Sequence, residues 1–125
     1  MVFKIAIGEP FSVPAGKYAD ETLIFLSIKD SLNEKLVFAK NVKEVLTWTA
    51  SSNADAGFVY LTDALNNENV KIVQAIPADY HSPITYPVAV INDSDNIDTA
   101  KTFEDFLFTS EAQEIFEKYG YKSIK

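Results

Sequence analysis

Apolar positions along this chain change period several times, and each change marks the border of an element. Lys4–Ile7 is a short apolar run ended by Gly8, the mark of a strand. From Ala15 to about Lys29, the residues Ala15, Tyr18, Ala19, Thr22, Leu23 and Leu26 recur at spacings of three and four. That spacing puts them on one face of a helix, and Pro14 marks its first turn, where a missing N–H costs nothing. Leu36–Ala39 is a second strand. Asn41 then reads as the N-cap of a helix with Glu44 three residues on, and Val42, Val45, Leu46 and Thr49 form its apolar stripe. Ala56–Leu61, Val70–Ile76 and the β-branched run Tyr86–Ile91 predict three further strands, with Pro77–Pro83 as a loop and Asn92–Asn96 as a polar turn. Two helices close the chain. The first carries Phe103, Phe106 and Leu107; the second starts at Ser110 with Gln113 as capping partner, buries Ala112, Ile115, Phe116 and Tyr119, and stops at Gly120.

Strands alternating with helices make this an α/β sandwich, and the absence of repeats or flexible linkers makes one compact unit of it. The length of 125 residues and the 47% hydrophobic content suit a single core. No apolar stretch approaches the roughly 20 residues needed to span a bilayer. The opening Met1–Ile7 is too short for a signal peptide, so any targeting segment is expected outside these residues. Cysteine is absent, which removes disulfides and thiolate chemistry. The formal charge of −7, from 18 acidic and 11 basic residues, disfavours nucleic acid, whose phosphates need clustered cations. All the basic residues are lysines, so no guanidinium fork exists to clamp an anion, and any bound anion must rest mainly on neutral donors.

Catalytic readings fail on spacing. His81, the one histidine, stands in a polar loop without the convergent partners of a metal site or triad, and reads as a solvated loop residue. Asp93, Asp95 and Asp98 lack the glycine and closing glutamate of a calcium loop. Asp20/Glu21 and Glu104/Asp105 are sequence neighbours on helices and read as solvated faces. Gly8 and Gly16 match neither phosphate-loop pattern. The helix starts are different. Ser12–Tyr18 puts a tight turn at a helix N-terminus, where unpaired N–H groups and the positive dipole end favour an anion and where Ala15 and Gly16 let it approach the backbone. Asn41-Val42-Lys43 offers a second such start. The same features fit ordinary capped helices, and Tyr60, ending an apolar run, reads on its own as a core aromatic.

Several blocks, in order, resemble the second lobe of the periplasmic molybdate-binding proteins of ABC importers. They are Gly8-Glu9-Pro10, Val13–Ala19, Asn41–Leu46, Ala54–Ala64, Tyr86–Val90, Phe106-Leu107, Ala112–Phe116 and Tyr119-Gly120-Tyr121. Glu9 stands where that family more often has aspartate. The resemblance implies a three-layer α/β/α lobe of a type II binding protein with a mixed sheet, residues 1–125 forming one lobe and helices 97–119 packing toward the other. It implies an extracytoplasmic, non-enzymatic protein that binds molybdate or tungstate without cofactor and meets an importer permease. It also implies Ala15 and Val42 as backbone N–H donors and Tyr60 as hydroxyl donor, while two serine hydroxyls belong to a first lobe with no counterpart here. Self-association through the exposed inner face is expected to follow. Sulfate or phosphate as ligand, and a structural fragment without ligand, are the other readings; a transferase or deaminase on the same fold would need a titratable group at the site, where only Lys17 and Lys43 are near.

Overall fold

A computed structural model describes residues 3–124, which divide into two compact units, the first ending at Pro83 and the second beginning at Ile84. Nothing in the composition near Pro83 announces that border.

The first unit is built on a three-stranded parallel sheet in the order β2-β1-β3, with β1 at Ile5–Gly8, β2 at Leu36–Ala39 and β3 at Ala56–Gly57. Ile5 pairs with Leu36 on one side and Ala56 on the other, so β1 is central and wholly buried. Side chains alternate across a strand, and the core alternates with them. Ile5, Ile7 and Leu36 pack with Ala19 and Leu23 of helix α1 (Pro14–Phe25). Ala6 and Ala39 pack on the other face with Val45 of α3 (Val42–Ala50). The chain moves from β1 to β2 in one direction and from β2 back past β1 to β3 in the other. Crossovers of one hand then put α1 and α3 on opposite faces, giving three layers. Short helical turns, α2 at Lys29–Leu32 and a 3₁₀ turn at Asn33–Lys35, join α1 to β2; α4 (Leu61–Ala64) follows β3.

Several expectations need correction. The sheet is parallel throughout, where a mixed one was expected, because Val70–Ile76 and Tyr86–Ile91 form no ladder among the described residues. A strand exists only when a neighbour pairs its backbone, and β-branched composition cannot supply one. Val73 and Ile91 are accordingly exposed at 88% and 74%. β3 is shorter than the run Ala56–Leu61: Phe58 still donates to the Ala6 carbonyl at 3.1 Å, but β1 then turns away at Glu9 and Leu61 begins α4.

Helix α1 ends at Phe25 instead of Lys29. Ser27 adopts the left-handed conformation (φ 58°), while Ser27 N–H bonds Ile24 C=O and Ile28 N–H bonds Leu23 C=O. This closure usually uses glycine, so a serine there gave no stop signal. Ser52 (φ 65°) closes α3 in the same way, through bonds to Thr49 and Trp48.

In the second unit, α5 (Ile97–Leu107) and α6 (Ser110–Lys118) pack on each other, and Gly120 (φ 96°) ends α6 as expected. The cap of α6 is Thr109, whose hydroxyl accepts from Ala112 N–H at 3.3 Å, rather than a Ser110–Gln113 pair. Gln113 is instead buried, its amide donating to Leu107 C=O at 2.7 Å and accepting from Ser123 and Ile124. Ala112 is buried, but Phe103, Phe106, Ile115 and Tyr119 are exposed. The apolar stripes are there, and two helices alone cannot bury both.

Candidate functional site

Parallel strands have all their carboxyl ends on one side, so whatever follows each strand emerges at the same edge. Ala15 follows β1, Val42 follows β2 and Tyr60 follows β3, and all three therefore gather at the carboxyl edge of one sheet. α1 and α3 leave adjacent strands toward opposite faces, the arrangement that opens a crevice between strand ends. A hydrogen bond of 2.8 Å from Glu9 N–H to Ala39 C=O ties the two strand ends together at that place.

The first helix start is built by a turn and by two glycines. Ser12 and Val13 donate backbone N–H to Glu9 C=O at 3.1 and 2.8 Å, which folds the chain back into the helix. Val13 is the N-cap and has no side-chain oxygen to offer; Pro14 has no N–H. The first bond of the helix is Lys17 N–H to Val13 C=O, so the N–H groups of Ala15 and Gly16 face out of the helix end. Both residues are buried. A Cβ on Gly16 would stand 2.0 Å from the Gly8 carbonyl oxygen, so the first turn of α1 rests directly on the end of β1. Only glycine permits that approach.

The second start has a cap. Asn41 Oδ1 accepts from Glu44 N–H at 2.8 Å, and Glu44 Oε1 lies 3.5 Å from Lys40 N, close to the box expected from the sequence. The first helical bond runs from Val45 N–H to Asn41 C=O, which leaves Val42 and Lys43 N–H pointing outward, as at α1. Tyr60 is half-buried and extended (φ −71°, ψ 146°), and its carbonyl accepts from Asp63 and Ala64 at the start of α4. Lys17 leans along α1 toward Glu21 at 3.9 Å, and Lys40, just before α3, reaches Glu44 in its first turn at 4.0 Å. Outward backbone N–H groups and positive helix-dipole ends thus lie at this edge, with exposed Lys43 beside Val42 and Tyr60 after the third strand. Backbone amides of this kind can hold a compact anion by charge-assisted hydrogen bonds.

Two readings change on the other side of α1. His81 is half-buried with its ring 5.7 Å from that of Tyr18, not a solvated loop residue. Glu21 is committed as well, accepting from Ser82, and Asp20 pairs with Lys29 at 2.7 Å, so neither belongs to an idle solvated face. Those partners lie far apart in sequence, and no spacing could have indicated them. The Gly8–Gly16 contact was readable only as two glycines; its geometry needed the fold.

A family model for bacterial extracellular solute-binding proteins matches residues 1–122. A Bacillus subtilis protein assigned to the substrate-binding lipoproteins of ABC transporters is 47% identical over 118 residues, covering 94% of this chain and 45% of that protein. The molybdate-binding protein of Escherichia coli is 41% identical, with 94% and 46% covered. Among solved structures, a substrate-binding domain from Clostridium difficile assigned to a molybdenum ABC transporter superposes with a TM-score of 0.86 at 58% identity, over 99% of this chain and 54% of that one. The chain thus spans about half the length of the relatives it matches. With that match running along an α/β framework whose helix starts share one sheet edge, the chain belongs to the bacterial extracellular solute-binding proteins.

Proposed function

We propose that this chain is an anion-binding lobe of an extracytoplasmic, non-enzymatic solute-binding protein that presents molybdate or tungstate to an ABC importer permease. Three residues would hold the oxyanion: Ala15 and Val42 through backbone N–H, and Tyr60 through its hydroxyl. The observation that carries this reading is the convergence of two outward-facing helix starts and Tyr60 on the carboxyl edge of one parallel sheet. The names of the relatives, molybdate-binding among them, support the choice of anion. Neutral donors suit a tetrahedral dianion that must be released again, and cavity size would separate molybdate from the smaller sulfate.

A complete site needs donors on the far side of the anion, and the exposed apolar side chains of the second unit support a contact surface for them or for a second copy of the chain. Taken alone, the chain would leave the anion open to water, which competes for each donor. If two further hydroxyls each contribute about 1.5–3 kcal/mol, the isolated chain binds roughly two to four orders of magnitude more weakly than a closed two-lobed protein.

The test is calorimetric titration of a two-lobed protein assembled from this chain and the N-terminal half of a relative, with molybdate, sulfate and phosphate in competition. Molybdate should bind most tightly, and Tyr60→Phe should weaken it by about 1–3 kcal/mol, the cost of a lost hydrogen bond to a charged group. Preference for sulfate or phosphate would replace the ligand assignment. Unchanged affinity in Tyr60→Phe would remove Tyr60 from the site.

A further inference from the structure

One face of α1 is occupied by a segment distant in sequence. Tyr18, Glu21 and Phe25 recur at spacings of three and four, and each meets one residue of Tyr80-His81-Ser82. The rings of Phe25 and Tyr80 stack at 4.3 Å, and those of Tyr18 and His81 lie 5.7 Å apart. Between them the Glu21 carboxylate takes both donors of Ser82, the backbone N–H at 2.6 Å and the hydroxyl at 2.9 Å. Immediately beyond, Pro83 ends the first unit. The segment has a 3₁₀ turn, Ala78–Tyr80, and joins no strand ladder among the described residues, so Glu21 supplies its polar anchoring to α1 and the two ring contacts pack it there.

We infer that Glu21 is a proton-opened latch: its carboxylate holds the strap Tyr80–Ser82 on α1, fixes where the polypeptide leaves the first unit, and releases it on protonation. A carboxylate accepts both Ser82 bonds as charge-assisted hydrogen bonds, whereas a protonated carboxyl accepts one and must reverse the other, leaving two weaker neutral bonds. The charged and titratable groups around it are Lys17 on its own helix, at 3.9 Å, and His81 on the strap, with the phenols of Tyr18 and Tyr80 on the same face. Positive charge on Lys17 and on His81 favours the ionised Glu21 carboxylate, and with it the closed state.

The Ser82 backbone hydrogen bond is the main cause that holds the Glu21 pKa below the ordinary glutamate value; burial, next in size, opposes it, and the Ser82 hydroxyl, Lys17 and His81 each add a smaller lowering. A depressed pKa means stability that is complete above the unfolded value, about 4.3, and is lost as pH falls through the folded one. The latch is therefore closed at neutral pH and opens only in acid. It does not depend on the anion assignment.

The test is nuclear magnetic resonance of the full chain between pH 7 and pH 2.5, following the Ser82 amide shift, its exchange protection relative to an unstructured peptide, and the ring-current shifts of Phe25 and Tyr80. The expected result is one titration below pH 4.3 in which all three change together, while the amides of β1 remain protected. Glu21→Gln carries the donor and acceptor pattern of the protonated carboxyl, so it should show the low-pH protection of Ser82 at every pH and abolish that titration. Glu21→Ala should lower Ser82 protection at least tenfold at every pH. A titration that persists in Glu21→Gln, or a strap equally protected in Glu21→Ala, overturns the proposal. If Glu21→Ala does not fold, Ser82→Ala, which removes one donor, must still raise the titration midpoint, and a midpoint unmoved refutes it equally.

Discussion

Replacing Gly16 by alanine sets two effects of opposite sign against each other. Gly16 is the third residue of α1, and alanine is favoured over glycine inside a helix by about 1 kcal/mol. Against that, the new Cβ would stand 2.0 Å from the Gly8 carbonyl oxygen and 2.4 Å from its carbon. A comfortable carbon–oxygen approach is about 3.3 Å, so the two backbones would have to separate by roughly 1.3 Å. Neither can yield easily. Gly8 pairs with Ala39 in the ladder of the central strand, and α1 is fastened to that sheet through Ala19 and Leu23. Overpacking that forces backbone shifts costs about 1–3 kcal/mol, and contact between two backbones belongs at or above the upper end. Subtracting the propensity gain leaves a net loss of about 2 kcal/mol or more. For a chain of 125 residues, between the size classes that show about 2–4 and 4–8 °C per kcal/mol, that is a fall of roughly 4–16 °C in Tm. Urea unfolding is readable through Trp48, the one tryptophan, which packs on the α3 face of the sheet. Gly8→Ala is the informative comparison, because its Cβ would meet Val13 side-chain atoms, Cγ1 at 2.5 Å and Cβ at 2.8 Å, instead of the carbonyl of a strand. Gly16→Ala should be the worse of the two. If it is as stable as the parent, the first turn of α1 does not rest on β1 as described, and the positioning of the Ala15 N–H loses its explanation.

Ser27→Gly should stabilise the chain by about 0.5–1 kcal/mol in the same urea assay, because glycine adopts φ 58° without the steric cost serine bears; a destabilised variant would show that the Ser27 side chain matters more than its backbone. Asn41→Ala should cost about 1 kcal/mol through loss of the cap on Glu44 N–H, and Asn41→Asp should retain most of it. Equal loss in both would mean that packing, not capping, sets the role of Asn41.

Much of the first unit was legible because its signals are local. Pro14 fixes a helix start within one turn, Asn41 with Glu44 fixes another, and the short apolar runs at Ile5–Gly8 and Leu36–Ala39, bounded by turn residues, mark buried strands. Those elements were read correctly to within a few residues, and with them the two helix starts at Ala15 and Val42. Helix ends were less legible where serine occupies the left-handed position, as at Ser27, since only glycine advertises it.

What the sequence determined by itself, then, is everything that depends on neighbours within about one helical turn: the period, the caps, and the lack of arginine. Tertiary structure decided what depends on partners far along the chain. Val70–Ile76 and Tyr86–Ile91 carry strand composition but meet no ladder, and the stripes of α5 and α6 stay exposed because burial needs a facing surface. Glu21 and Asp20 are adjacent and look alike in sequence, yet one holds Ser82, 61 residues away, and the other pairs with Lys29. The parallel order β2-β1-β3 is the same kind of fact: it alone brings Ala15, Val42 and Tyr60 to one edge, since strand direction is set by pairing and pairing is not written in any single segment.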